Sequence, residues 1–294
     1  MAIFKGAGVA IVTPMNEDDT VNFDKLYELI DEQIAGGTDA IIICGTTGES
    51  ATLTVEEHLE TIKACIDHVD HRIPVIAGTG SNCTRDAVSM SKEAESYGAD
   101  GLLCVTPYYN KATQKGLVQM FTAIADASTK PIILYNVPSR TGVNIEPATY
   151  AELAKHPMIS AIKEANSNIA KIVETMALCG DKLDLYSGND DQIVPLLSCG
   201  GKGVISVLSN VLPKKTQELC DKYFNGDVEG SFAMQAEMFD LIKALFCEVN
   251  PIPVKAAMAA MGFCEDYVRL PLTVMEDAHK EELLRCMRAQ GLNV

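Results

Sequence analysis

Short hydrophobic runs alternate along the chain with longer segments in which apolar residues recur every three or four positions. Eight of the short runs have the length and composition of buried parallel strands; they span residues 9–12, 40–43, 74–77, 101–105, 132–135, 159–162, 183–186 and 203–207. Segments of helical period lie between them, among others residues 23–35, 55–69, 84–97, 117–127 and 169–178. This alternation predicts an α/β fold with a parallel sheet.

The chain beyond the eighth run has only helical periodicity, in residues 213–224, 228–246, 251–261 and 274–288. An open doubly wound sheet shares the strand–helix alternation, but eight regular units favour closure into a barrel. We therefore predict a (β/α)8 TIM barrel with a C-terminal helical appendage. In this interpretation residues 1–210 form the barrel core that carries the active site, and residues 211–294 form a C-terminal helical region packed on the barrel.

Composition and charge narrow the classes of function. Of the 294 residues 47% are hydrophobic, and no stretch approaches the roughly 20 uncharged apolar residues that span a bilayer. The N-terminus lacks the basic region, apolar region and cleavage site of a signal peptide, so we expect a soluble, cytoplasmic protein. A formal net charge of −16 without a local Lys/Arg cluster argues against nucleic acid and anionic membranes as partners.

Cysteine and glycine patterns give no support for a metal or a nucleotide cofactor. The ten cysteines are scattered singly, mostly in apolar runs, for example Cys44, Cys104 and Cys247, and we expect them to be reduced core residues. The spacing of Cys65, His68 and His71 matches neither H-E-x-x-H nor a zinc finger. The dinucleotide and P-loop fingerprints are both incomplete.

Reactive side chains cluster at the predicted C-terminal ends of the strands, where barrel enzymes carry their active sites. The second strand leads into a Gly-Thr-Thr-Gly-Glu turn that contains Thr46 and Thr47, and Tyr109 follows the fourth strand. Tyr135 ends the fifth strand, and Lys163 follows the sixth. Adjacent parallel strands would place Tyr135 and Lys163 side by side, an amine next to a phenolic proton carrier.

This arrangement favours imine chemistry on Lys163. An amine attacks a carbonyl only when neutral, so a pKa of ~10.4 must fall toward ~7–8. The net negative charge opposes that shift, and burial of Lys163 must therefore supply it. Thr46, Tyr109 and Tyr135 offer hydroxyls for a proton relay. Thr47 and Arg140 could each bind a carboxylate, which indicates two acidic substrates.

Three sequence features together resemble the dihydrodipicolinate synthase family, within the pyruvate-dependent Schiff-base lyase superfamily. They are Gly-Thr-Thr-Gly-Glu at residues 45–49, Tyr-Asn-Val-Pro-Ser-Arg-Thr-Gly at residues 135–142, and Lys163 at the end of the sixth strand. The similarity covers essentially the whole chain. It implies that the protein condenses pyruvate with L-aspartate 4-semialdehyde to 4-hydroxy-tetrahydrodipicolinate, the first committed step of diaminopimelate and lysine biosynthesis, without metal or cofactor.

The resemblance also implies roles for individual residues. Lys163 would form the Schiff base and Tyr135 would donate protons, in a triad with Thr46 and Tyr109. The residues that would hold the substrates are Thr47, Arg140, Gly188 and the backbone at Ile205. A homotetramer built as a dimer of dimers is the usual assembly in the family, with Tyr109 reaching into the neighbouring subunit's site. A regulatory L-lysine site would use Ser50, Ala51, His58, Asn82, Asp86 and Tyr108, although Val55 and Asp86 depart from the residues usual there.

Two other functions remain open from the sequence. A sister lyase of the superfamily, either N-acetylneuraminate lyase or a 2-keto-3-deoxy-sugar acid aldolase, would share the lysine and the tyrosine, but Arg140 argues against both. A catalytically silent barrel that only binds a keto acid is the alternative outside enzymes. Such a binder would not need a lysine with a lowered pKa, so the set of reactive residues favours the enzyme.

Overall fold

The computed structural model describes residues 2–294, in which eight parallel strands close into a barrel. The strands are β1 (Gly6–Ala10), β2 (Ala40–Ile43), β3 (Val75–Gly78), β4 (Gly101–Val105), β5 (Ile132–Asn136), β6 (Ile159–Glu164), β7 (Asp184–Ser187) and β8 (Gly203–Ser206). They follow one another around the barrel in chain order, and β1 closes it by pairing with β8. The prediction of a (β/α)8 barrel followed by helices is confirmed.

Helices connect the strands on the outside of the barrel and continue beyond β8. They are α1 (Phe23–Ala35), α2 (Val55–Val69), α3 (Thr84–Ser96), α4 (Gln114–Asp126), α5 (Pro138–Thr141), α6 (Pro147–Leu153), α7 (Ile169–Cys179), α8 (Ile193–Ser198), α9 (Pro213–Phe224), α10 (Val228–Glu237), α11 (Phe239–Ala244), α12 (Ile252–Ala260) and α13 (Asp277–Ala289). Local chemistry sets several starts: Thr54 and Glu57 form a capping box at α2, and the Asn22 side chain caps α1.

Helix α9 packs against β1 and so occupies the position of the barrel's eighth helix. Among the later helices, α11 and α12 both pack against α13. The division of the chain at residue 210 remains a prediction. The single helix expected over residues 228–246 is wrong, because the chain forms α10 and α11 with an interruption at Met238. The buried positions change there from the polar Ser231 and Gln235 in α10 to the apolar Leu241, Ile242 and Ala244 in α11.

Alternation along the strands separates two buried clusters. The interior of the barrel contains Ile133 and Tyr135 of β5, Ala161 of β6 and Ile205 of β8, whereas a larger cluster fills the space between strands and helices. Because side chains two residues apart on a strand share a face, Lys163 points to the same side as Ala161. Lys163 therefore stands at the mouth of the barrel interior.

The cysteines are free, and six of the ten are buried as expected, whereas Cys83, Cys199 and Cys264 are half-buried and Cys247 is exposed. Cys44 and Cys104 lie in the core, but Cys247 is exposed because it follows α11 in a surface connection. Within residues 2–294, no three His, Cys, Asp or Glu side chains are grouped closely enough to hold a metal ion. None of the helices in that range is both long and apolar enough to cross a membrane.

Candidate active site

Lys163 and Tyr135 are direct partners across β5 and β6. The Lys163 amine lies 4.3 Å from the centre of the Tyr135 ring. On its other side Lys163 pairs with Tyr186 of β7. The lysine side chain is only 6% exposed, so the expectation that it is buried is confirmed.

Burial changes the protonation of this amine. Loss of solvation lowers the pKa of Lys163 to about 7; the carboxylate of Asp190 opposes the shift and the guanidinium of Arg140 adds to it. Asp190 is itself buried and accepts hydrogen bonds from the backbone amides of Val207 and Leu208 at 3.0 and 2.9 Å. A substantial fraction of Lys163 is thus neutral, and nucleophilic, near neutral pH.

Tyr135 is buried, and burial raises the pKa of its phenol, while Arg140 and the hydroxyl of Thr46 act in the opposite direction. The phenol therefore stays protonated at neutral pH and can donate a proton. Thr46 belongs to the turn after β2 and lines the same cavity as Tyr135, so the ends of β2 and β5 each present a hydroxyl there. This arrangement supplies a hydroxyl pair beside the amine.

The turn at residues 45–49 is held by buried contacts on both sides. The hydroxyl of Thr13 donates to the carbonyl oxygen of Gly48 at 2.8 Å, and a side chain at Gly48 would crowd that same hydroxyl. Glu49 has a left-handed backbone conformation, and its carboxylate pairs with Lys255 of α12 at 2.7 Å. Both side chains of this ion pair are fully buried. The position of Thr46 and Thr47 is therefore determined by the rest of the barrel and by the C-terminal helices.

A cavity of about 500 Å3 opens at this end of the barrel. It brings together six of the residues predicted from the sequence: Thr46, Thr47, Tyr135, Arg140, Lys163 and Gly188. Gly188 follows β7, and its amide donates to the carbonyl oxygen of Glu164 at 2.7 Å. A Cβ at Gly188 would lie 3.0 Å from the Ala165 side chain, so the absence of a side chain here allows the loops to approach closely.

Two predicted residues do not line this cavity. Ile205 is buried on β8 in the same interior cluster as Tyr135. Tyr109 follows β4 with a positive φ of 73° and is 90% exposed. A single chain therefore does not bring Tyr109 to Tyr135 and Thr46.

A second cavity, of about 400 Å3, lies beside the first and shares Thr46 and Arg140 with it. It is lined by five of the six residues predicted for L-lysine: Ser50, Ala51, His58, Asp86 and Tyr108. The sixth, Asn82, stands outside the lining and donates a hydrogen bond to the carbonyl oxygen of Tyr108 at 3.2 Å. His58 is buried with Nε2 2.7 Å from the Gly78 carbonyl oxygen, and burial lowers its pKa.

A buried carboxyl directly behind Lys163 was missed by the sequence analysis. Glu164 accepts hydrogen bonds from the Tyr150 hydroxyl, the Asn136 amide and the Asn166 backbone amide, at 3.0, 3.0 and 2.8 Å. Burial raises the pKa of Glu164 to about 7. The signal in the sequence is a charged residue at the end of an apolar strand.

Asn250, between α11 and α12, also lines the main cavity and was not predicted from the sequence. Its side-chain amide donates to the hydroxyl of Thr47, and its carbonyl oxygen accepts from Arg140, both at 3.0 Å. One asparagine in a helical stretch carries no local sign of such contacts. Only the packing of the C-terminal helices reveals it.

Comparison with known proteins identifies the family of the chain. The Dihydrodipicolinate synthetase family matches residues 3–290. A 4-hydroxy-tetrahydrodipicolinate synthase of Lachnoclostridium phytofermentans is 58% identical over 99% of this chain and 100% of its own length.

Solved structures show the same relationship. The chloride-inhibited dihydrodipicolinate synthase of Acinetobacter baumannii, in complex with pyruvate, is 42% identical with a TM-score of 0.95, covering 98% of this chain and 99% of its own. The enzyme of Cyanidioschyzon merolae with lysine bound is 38% identical with a TM-score of 0.97 and complete coverage of both chains, at 100% each. The chain belongs to the dihydrodipicolinate synthetase family.

Proposed function

We propose that this protein condenses pyruvate with L-aspartate 4-semialdehyde to form 4-hydroxy-tetrahydrodipicolinate, with pyruvate held as a Schiff base on Lys163. The observation that carries the proposal is the buried Lys163 amine beside Tyr135, in a cavity that also contains Arg140. Relatives named 4-hydroxy-tetrahydrodipicolinate synthase, which match 99% and 100% of the chain, support the proposal.

The chemistry begins when the neutral amine of Lys163 adds to the keto carbon of pyruvate. Tyr135 protonates the departing hydroxyl, water leaves, and a protonated imine remains. The imine withdraws electrons, so the Tyr135 phenolate can take up a methyl proton and an enamine forms. The terminal carbon of the enamine attacks the aldehyde carbon of the second substrate, which makes the new carbon–carbon bond and restores the imine, and the aldehyde oxygen takes the proton back from Tyr135. The amine of that substrate then attacks the imine carbon, which closes the ring and releases Lys163.

The two substrate carboxylates need separate partners. Thr47 and neighbouring backbone amides, with the backbone at Ile205, hold the pyruvate carboxylate in this proposal. Arg140 receives the carboxylate of L-aspartate 4-semialdehyde by charge-assisted hydrogen bonds. Gly188 leaves room for the substrates where its loop meets Ala165.

The proposed assembly is a homotetramer arranged as a dimer of dimers, in the cytoplasm. The exposed side chain of Tyr109 supports it, because this tyrosine can join Thr46 and Tyr135 only in the site of a second copy. Sedimentation of the wild-type protein would test the assembly. The turnover of a Tyr109→Phe variant that sediments like the wild type would test the relay. We also propose that the second cavity binds L-lysine, since the relative from Cyanidioschyzon merolae was solved with lysine bound.

Reduction with borohydride in the presence of pyruvate tests the central proposal. We expect inactivation and a reduced adduct that peptide mass mapping places on Lys163, with no adduct in Lys163→Ala. An adduct on Lys111 or Lys202 would contradict it. A parallel assay with sialic acid and 2-keto-3-deoxy-sugar acids separates the sister lyases, because robust cleavage of either would replace the proposed reaction.

A further inference from the structure

Asn250 connects the two groups that are proposed to hold the substrate carboxylates. Its side-chain nitrogen donates to Thr47 Oγ1, and its main-chain oxygen accepts from Arg140 Nη2, each at 3.0 Å. Asn250 is 6% exposed and lines the same cavity as Lys163. A residue of the C-terminal helical region thus contacts the loops after β2 and β5 from within the cavity.

The segment that carries Asn250 is firmly attached to the turn at residues 45–49. Lys255, in the first turns of α12, donates its backbone amide to the Pro251 carbonyl oxygen at 3.0 Å and its side chain to Glu49. The backbone amide of Arg269 donates to the other oxygen of Glu49 at 3.1 Å. The turn that contains Thr47 is therefore held at two points, by α12 and by the connection that follows it.

A hydroxyl that accepts a hydrogen bond can still donate its own hydrogen to another group. Because the Asn250 amide occupies a lone pair of Thr47 Oγ1, the hydroxyl hydrogen is left to point toward a carboxylate in the cavity. The side-chain oxygen of Asn250 is buried without a partner in the part of the chain that the structure describes. A bound ligand can satisfy such an acceptor with a hydroxyl group.

We propose that Asn250 is a positioning residue for pyruvate, which orients the Thr47 hydroxyl as a donor to the pyruvate carboxylate. The inference rests on the proposed function. It makes an asymmetric prediction, because the side chain contacts Thr47 whereas the main chain contacts Arg140. Replacing the side chain removes the first contact and keeps the second.

The test uses full-length Asn250→Ala, Asn250→Asp and, as a matched control, Val254→Ala. Val254 is fully buried in α12 away from the cavity lining, so its truncation weakens packing of the same helix without removing the hydrogen bond. Initial rates are measured with each substrate varied in turn. The pyruvate concentration that half-saturates borohydride trapping and the thermal unfolding of each variant are measured beside them.

For Asn250→Ala we expect KM for pyruvate and the trapping half-saturation to rise roughly tenfold, with KM for L-aspartate 4-semialdehyde and kcat changed less than about twofold. Asn250→Asp keeps the shape of the side chain but can no longer donate the hydrogen bond, so its KM for pyruvate should rise at least as much. This variant still tests the inference if Asn250→Ala does not fold. Val254→Ala should lower the unfolding temperature and leave both KM values unchanged.

Three outcomes would overturn the inference while the wild type still forms its Lys163 adduct. They are an unchanged pyruvate half-saturation in Asn250→Ala, an equal rise in both KM values that Val254→Ala reproduces, and a wild-type KM for pyruvate in Asn250→Asp. Absence of any Lys163 adduct in the wild type would instead refute the proposed function on which the inference rests.

Discussion

The amine of Lys163 lies 4.3 Å from the centre of the Tyr135 ring, and the two residues pair directly between neighbouring strands. A cation above an aromatic ring is stabilised, which by itself would favour the protonated amine. Burial acts against this and lowers the pKa of Lys163 to about 7. The balance leaves an amine that can be neutral for attack and positively charged once it has become an imine.

Imine formation should therefore depend on pH with a midpoint near the lowered pKa. The neutral form reacts, so the rate of adduct formation with pyruvate should increase as pH rises through about 7 and level off above it. Rapid borohydride trapping between pH ~5.5 and ~9 would measure the profile. A midpoint near ~10.4, the ordinary lysine value, would contradict the effect of burial.

Tyr135→Phe should keep pyruvate binding and lose roughly 10²–10⁴ in turnover, the usual contribution of a positioned proton carrier. Tyr186→Phe is a matched control, because Tyr186 flanks Lys163 from the opposite strand but donates its hydroxyl to the Phe4 carbonyl oxygen at 2.7 Å. We expect Tyr186→Phe to be less stable than the wild type but to keep most of its turnover. Steady-state rates and adduct yields compare the two, and unchanged turnover in Tyr135→Phe would end the relay hypothesis.

Arg140→Ala should raise KM for L-aspartate 4-semialdehyde far more than KM for pyruvate. Loss of a charge-assisted hydrogen bond costs about 1.5–3 kcal/mol, which corresponds to a roughly ten- to hundredfold weaker interaction. This pattern is the reverse of the one expected for Asn250→Ala, so the pair of variants assigns the two carboxylates by steady-state kinetics. Equal changes for both substrates would place Arg140 in another role.

Glu164 should make the protein less stable as pH rises. Its pKa is raised to about 7 from 4.5, so the carboxyl is protonated in both folded and unfolded chains below about 4.5 and its contribution is then complete. Between these pH values the carboxyl ionises in the unfolded chain but stays protonated in the folded one. The free energy of unfolding therefore falls progressively, by about 3 kcal/mol in all once pH has passed about 7. Urea unfolding at several pH values should show this difference between wild type and Glu164→Gln. The same dependence of unfolding free energy on pH in both proteins would contradict this prediction.

L-Lysine should inhibit weakly and only in part. Val55 is exposed at the edge of the second cavity and offers no polar contact. Asp86, which also lines this cavity, is a shorter acid than the glutamate that the family resemblance leads us to expect there. One lost hydrogen bond to a charged ligand reduces affinity roughly ten- to a hundredfold. Calorimetric titration of the wild type, Asp86→Glu and Val55→His measures this. Tight wild-type binding, or no gain in either variant, would show the contact argument to be wrong.

Most of the barrel could be predicted from the sequence, because buried parallel strands are continuous apolar runs. The prediction of the first strand was the least accurate, because residues 9–12 were expected, whereas β1 is Gly6–Ala10. Its glycines Gly6 and Gly8 dilute the hydrophobic signal, although a side chain at Gly8 would clash with Phe4 and Ile42. The short helices α6 and α8 were not recognised, since each spans too few residues for a clear period.

The candidate site could be predicted where chemistry lies at the end of a strand or in the segment that follows it. Lys163, Tyr135 and Thr46 qualify, because the end of each strand identifies the mouth of the barrel. Asn250 does not, since its place depends on how α11 and α12 pack over the barrel. Long-range packing of this kind leaves no periodic trace in the sequence.

The fully buried pair between Glu49 and Lys255 has a consequence for engineered versions of this protein. Removing one partner of a buried ion pair typically destabilises a protein by about 3–5 kcal/mol, because the other charge stays without compensation. A barrel cut after residue 210 would keep Glu49 and lose Lys255. A chimaera that exchanges the C-terminal helices with those of another barrel must therefore supply a lysine that meets Glu49, or replace both residues together.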